Sequence, residues 1–517
     1  MRIATNVSAI VSNNALQKSQ DRLTKSIARL SSGYKINSSS DDAAGYAISE
    51  KMRLQLRGLN QADNNAADGV SVLHTAEGAM EEIQSMLARM KELSVQAANG
   101  TNSVDERSAI QSEIDSLNSE IDRISSNTEF NSQTLISGNL SRRVYSNYEG
   151  VNQIEVSDNF VAGNYGITIT QDARQAIVVG NGAVTMSDTA TVTKEQAGTI
   201  SMNGYGIEIS EGDTLAGIMG KLVDGADKIG GRVFAITAGA TNGTKGNGTD
   251  YAGYEPQTSY AGNNIVFMTK ESGSSKTMNI TCSNAELANM LGIATAATNS
   301  GMYAEGSDVQ AEFTLDNDGK RVGFADSAVI STSGTRVTVK DVNNRTFVTD
   351  VPSNVAGTQF SDTAKADDKS TATSTQTAKV TQEVTDVGTM SVHVGANENQ
   401  VILIDIPAVT SYTLGTENLN VMTSVTASEA IDTIDTAVAY ANRVRSQMGA
   451  YENRFEHTTN NLGTASENLT SAISTMTDTD MAEEMTEYTS LNVMTQAATS
   501  ILAQANERPS TVLQILQ

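Results

Sequence analysis

Residues 434–476, IDTAVAYANRVRSQMGAYENRFEHTTNNLGTASENLTSAISTM, place Ile434, Ala441, Met448, Phe455, Leu462, Leu469 and Met476 at steps of seven. This spacing keeps one apolar seam facing a neighbouring helix over about six heptads, which predicts a long helix with a coiled-coil partner. The same period recurs near the other end of the chain. Met52, Leu59, Ala66, Leu73, Met80 and Leu87 step by seven inside a helix expected from about Ala43 to Asn99. At 1.5 Å per residue that helix is a rod of roughly 80 Å. Gly45, Gly58, Gly69 and Gly78 lie within it, and each costs about 1 kcal/mol against Ala, so close helix partners are expected to compensate.

A shorter helix flanks each rod. Asn6 is expected to cap a first helix ending near Leu30, with Leu16, Leu23, Ile27 and Leu30 along a narrow stripe, before Ser31, Ser32 and Gly33 interrupt it. The 434–476 rod itself is expected over Ser428 to Met476. A last helix follows over Met481 to Ala505, striped by Leu491, Met494, Ala498, Ile501 and Ala505. After a turn at Asn99 to Asn102, a third N-terminal helix is expected over Val104 to Ser126, with Ile110, Ile114, Leu117, Ile121 and Ile124 on one face. A lone amphipathic helix is marginal in water, so the terminal helices are expected to pair as an inner layer and to need further partners.

Between about Gly138 and Gly415 the period changes to two. Gly166 to Thr170, Gly206 to Ile209 and Val309 to Leu315 alternate apolar with polar residues between Gly, Asn and Asp turns. Short helices are expected at Thr214 to Ala226 and Asn284 to Leu291. Ala238 to Asp250 reads as an exposed loop and Thr358 to Thr385 as a polar connector. The expected fold class is therefore multidomain: a long antiparallel α-helical coiled-coil bundle formed by both chain ends, with a β-rich central insertion of one or two domains. The expected divisions are 1–40, 41–140, 141–387, 388–477 and 478–517.

Composition narrows function. A formal charge of −25 on 517 residues repels DNA and anionic lipid, so neither nucleic acid nor membrane insertion is expected. No charged stretch followed by an apolar run opens the chain, and no apolar stretch approaches the length of a membrane span. Cys282 is the single cysteine and reads as a small buried hydrophobe. His74, His393 and His457 fit no metal-ligand spacing, so neither a metal nor a cofactor is expected. Asp41 and Asp42, and the cluster Asp478, Asp480, Glu483, Glu484 and Glu487, suit helix N-termini better than a cation. No nucleophile, base and orienting group come together, and an enzyme is not expected. The methionines of the helical stripes, among them Met80, Met90, Met448 and Met494, read as adaptable packing.

Longer patterns add a resemblance. Arg29-Leu30-Ser31-Ser32-Gly33-Tyr34-Lys35-Ile36-Asn37-Ser38, then Asp41-Asp42-Ala43-Ala44-Gly45, and Lys91-Glu92-Leu93-Ser94-Val95-Gln96-Ala97-Ala98-Asn99-Gly100-Thr101-Asn102 resemble the N-terminal signature of bacterial flagellins. Asn442-Arg443-Val444, Asn460-Asn461-Leu462 and Gln496-Ala497 to Gln504-Ala505-Asn506 resemble the C-terminal one. The likeness covers about 1–140 and 390–517. It implies a secreted filament subunit of the flagellum, exported unfolded by the flagellar type III route, with the terminal helices in the polymer core and the insert outside. Its implied partners are other copies of the chain in a helical homo-polymer, an export chaperone, and the filament cap and hook-associated proteins. It also implies contact with host Toll-like receptor 5 through Arg89, Leu93 and Glu113. The alternative is a hook-filament junction protein, which shares the helical ends.

Overall fold

The computed structural model describes residues 6–148, 150–157, 160–237, 257, 259–293, 302–316, 318–341, 345–352, 377–385 and 387–516, with side chains through Arg508. Among these the helices are α1 (Val7–Ser32), α2 (Ala43–Ala98), α3 (Val104–Asn127), α4 (Leu215–Lys228), α5 (Ala285–Met290), α6 (Ser411–Leu414), α7 (Ser424–Thr477) and α8 (Met481–Leu516). Two compact units form: Met1–Val70 with Val392–Ile402 and Asn453–Gln517, and Ser71–Ser391 with Leu403–Glu452.

In the first unit α1 pairs with α8. The Asn6 side chain accepts the Ala9 N–H and caps α1 as expected. Ser31 and Ser32 stay helical, contrary to expectation. Gly33 ends the helix by taking φ +76, where its N–H donates to the Arg29 carbonyl at 2.8 Å. The connectors on either side meet: Lys35 N–H donates to Thr477 O at 2.6 Å and Thr479 N–H to Gly33 O at 2.9 Å. Acidic side chains cap the helices that follow. Asp42 Oδ1 accepts the Ala44 and Gly45 N–H groups, and Asp480 Oδ1 those of Ala482 and Glu483. α8 runs past its expected end at Ala505 to Leu516, through Pro509.

In the second unit the C-terminal half of α2 lies antiparallel to the N-terminal half of α7. Gln84 donates to Asn442 Oδ1 at 2.8 Å, Lys91 pairs with Asp435, and Arg445 reaches Glu77 at 3.3 Å. Ile434, Ala441 and Met448 of the heptad seam are buried, as are Met80, Ile83, Leu87 and Met90 of α2. In the first unit Phe455 and Leu462 continue the buried seam, which then loosens to half-buried Leu469 and Met476. α3 starts on a capping box, in which Ser103 and Glu106 satisfy each other's backbone N–H groups. Its face is fixed by Asn118, which donates to Thr416 O at 2.7 Å, and by Gln111, which bonds Leu419 and Val421.

Among the described residues the β-rich insert has, beside a smaller cluster of Phe234, Ile236, Val266 and Met268, two larger hydrophobic cores. One lies among Val144–Ser146, Ala378–Val384, Gly163–Gln171 and Gln310–Phe313 in one sheet and Asn152–Val156, Thr346–Asp350, Arg336–Lys340 and Val329–Ser333 in another. Phe160, Tyr165, Phe324 and Phe347 stack at its centre. The other is built from Met302–Glu305, Thr277–Cys282, Gly198–Met202 and Tyr205–Ile209, with Gln175–Val179, Asn263–Ser272 and Gly231–Thr237, closed by α4 and α5. Ala378–Val384 corrects the expectation of a connector over 358–385, because it pairs with Gly163–Gln171 along its whole length. The rest of that stretch, 358–376, and the expected loop at 238–250 lie outside the described residues. Cys282 is half-buried, with Sγ 3.1 Å from Asn284 O, and burial pushes its thiol pKa up.

Candidate assembly and receptor-contact surfaces

The paired α1 and α8 run antiparallel. Asn6 Nδ2 donates to Ala505 O at 2.8 Å, Arg22 meets Glu487 at 3.0 Å, and Arg29 lies 3.6 Å from the buried carboxylate of Glu484. Their buried contact is thin. Ser26, Glu484, Leu491 and Ala505 are covered, while Leu16, Leu23, Leu30 and Ala498 are half-buried. Ile27, Met494 and Ile501 of the expected assembly stripes stand in solvent, Ile501 at 55% exposure. Val7, Ile10, Val11, Met481, Met485 and Val493, which the stripe analysis passed over, are exposed as well. They are visible in the sequence as apolar residues beside the stripes, at positions a two-helix pair leaves uncovered. A shallow groove between the helices is lined by Arg22, Glu487, Leu491 and Met494.

On α2 and α3 the fold brings Arg89 and Glu113 together. Arg89 Nη2 lies 2.9 Å from Glu113 Oε1, and Arg89 also binds Glu92 at 3.2 Å. The hydrogen bond that Arg89 donates to Glu113, then that to Glu92, raises the guanidinium pKa. Both long side chains are about half exposed, whereas Leu93, one turn on from Arg89, points inward at 2% exposure. The charged pair is thus the accessible part of the three residues, and Leu93 the buried one.

No helix among the described residues is long and apolar enough to cross a membrane.

Comparison with known proteins bears on both ends. A family model described as the bacterial flagellin N-terminal helical region matches residues 3–141, and one described as the C-terminal helical region matches 431–516. A flagellin of Clostridium tyrobutyricum is 30% identical over 508 residues, covering 96% of this chain and 98% of that one. A flagellin of Salmonella typhimurium is 30% identical over 547 residues, covering 100% and 99%. Flagellin B of Vibrio anguillarum is 28% identical over 517 residues, covering 100% and 99%. With both terminal regions matched and these identities spanning the insert as well, the chain belongs to the bacterial flagellin family: it is a structural subunit of the flagellar filament, and not an enzyme.

Proposed function

We propose that the chain is exported unfolded by the flagellar type III route and polymerises outside the cell through α1 and α8, into the helical filament that the cell's motor turns as a propeller. The observation that carries this reading is the apolar surface the α1 and α8 pair leaves in water. Val7, Ile10, Val11, Ile27, Met485, Val493, Met494 and Ile501 are exposed on two adjoining helices, while among the described side chains Leu491 is the large apolar one the pair fully covers. Burying a side chain of this size stabilises by about 1.5–3 kcal/mol, so several subunits packing these stripes together gain what a single subunit lacks. Met at three of the exposed positions, 481, 485 and 494, suits an interface that accommodates slightly different neighbours. An export chaperone covers the same stripes before assembly, and the cap and hook-associated proteins meet the polymer at its ends.

The test is seeded growth. Purified full chain is mixed with short filament seeds and imaged by electron cryomicroscopy beside a chain lacking residues 1–35. Long filaments from the full chain alone support the proposal; a full chain that caps the seeds without extending them would make it a hook-filament junction protein instead.

The exposed Arg89 and Glu113 pair, together with Leu93, is the proposed contact for host Toll-like receptor 5. Arg is enriched among residues that dominate binding energy, so Arg89→Ala is expected to lower receptor signalling by the monomer about tenfold in a reporter-cell assay. An unchanged response to Arg89→Ala and to Glu113→Gln would remove these residues from the contact.

A further inference from the structure

The sequence offers no metal-ligand spacing around any histidine, yet the pairing of α2 with α7 assembles one. His74 and Glu77 stand three residues apart and so share a face of α2. Glu452 reaches them from α7, and one ligand atom from each of the three lies within 4.8 Å of the others. His74 Nε2 is 3.5 Å from Glu452 Oε1. That is long for a hydrogen bond. It does match the edge of a coordination tetrahedron: bonds of about 2.0–2.2 Å to a zinc ion set neighbouring ligand atoms roughly 3.4 Å apart.

We propose that His74, Glu77 and Glu452 bind a divalent transition-metal ion of the Zn2+ class, which joins α2 to α7. One imidazole and two carboxylates form a mixed nitrogen and oxygen set that favours Zn2+, Co2+ or Ni2+ over Mg2+. Three protein ligands leave the remaining coordination position to water. The His74 and Glu452 side chains are 59% and 40% exposed, so an ion reaches the site from solution without opening the helices. Glu77 is engaged by Arg445 at 3.3 Å, and Arg445 also donates to Gln84 Oε1. When Glu77 turns to the ion, Arg445 keeps Gln84 as a hydrogen-bond acceptor and its charge stays at the solvent-facing edge of the helix pair. The metal acts here as a clamp between two helices that otherwise meet through apolar contacts and surface pairs.

The experiment is calorimetric titration of the full-length monomer with ZnCl2, with MgCl2 as the comparison and Co2+ absorption as a report of geometry. Expected is one saturable Zn2+ per chain, a Zn2+-dependent rise in melting temperature, and no response to Mg2+. His74→Ala and Glu452→Gln should each weaken binding by about tenfold or more. His457→Ala, which removes an exposed imidazole elsewhere on α7, should leave it unchanged. Since His74 is exposed, His74→Ala is expected to melt like the parent chain without metal, and this control separates lost ligation from lost folding. No saturable binding, equal binding by His74→Ala and the parent, or loss of binding in His457→Ala would each overturn the proposal.

Discussion

Single residues decide how closely the long helices approach. A Cβ built on Gly69 would lie 2.9 Å from Cζ of the fully buried Phe455, whereas one on Gly78 meets nothing within 4 Å. Two glycines of one helix thus respond oppositely to alanine. Gly69→Ala is expected to destabilise by about 1–2 kcal/mol, because the overlap with an immobile ring outweighs the gain in helix propensity. Gly78→Ala should stabilise by up to about 1 kcal/mol. Urea unfolding of both variants checks the contrast, and a stabilising Gly69→Ala would refute it. A second decisive residue is Glu155, whose buried carboxylate receives two hydrogen bonds from Arg443 of α7, at 2.8 and 3.2 Å. Glu155→Gln is expected to cost about 1–2 kcal/mol, less than a fully buried pair, since Arg443 stays partly in water.

At the scale of elements, local capping gives a pH signature. The Ser103 backbone N–H, then its hydroxyl, bonds the Glu106 carboxylate and holds its pKa below the ordinary range. A carboxylate lowered in the folded state contributes fully above its unfolded pKa and loses that contribution as pH falls through the lowered folded value. Amide exchange in the first turn of α3 should therefore separate the parent chain from Glu106→Gln near neutrality and converge at acid pH. Ser103→Ala should itself cost about 1 kcal/mol at neutral pH. The long helices were legible because a seven-residue period survives any choice of partner, and the caps at Asn6, Asp42 and Asp480 because their side-chain chemistry is local. The end of α8 was misread because Pro509 is a stop signal that the helix overrides. Ala378–Val384 was misread because its inward face includes Gln382, which is buried and bonded to Thr349, so the alternation looks broken and the composition looks like a linker. The convergence of His74, Glu77 and Glu452 was not legible at all, since it depends on the register between two helices that are distant in sequence. The same holds for the inward turn of Leu93: spacing puts it beside Arg89 but does not say which side faces the core.

For the whole molecule, the thin seam between α1 and α8 separates stability from assembly. Leu491→Ala empties a covered site and should lower the stability of that pair by about 2–4 kcal/mol. Ile501→Asp changes a side chain already in water. It should leave the melting of the monomer within about 0.5 kcal/mol of the parent and stop seeded growth. If Ile501→Asp grows filaments at the parental rate, the exposed stripe of α8 is not the polymer contact. The bond between Asn6 and Ala505 carries one more consequence. Among the described residues α1 takes its helix partner from α8, which lies more than 400 residues further along the sequence. Contacts this far apart in sequence form late, because a long loop must close before they reward it. The pairing therefore works as a clock: the seam between α1 and α8 ripens only once α8 is present and free to close on α1.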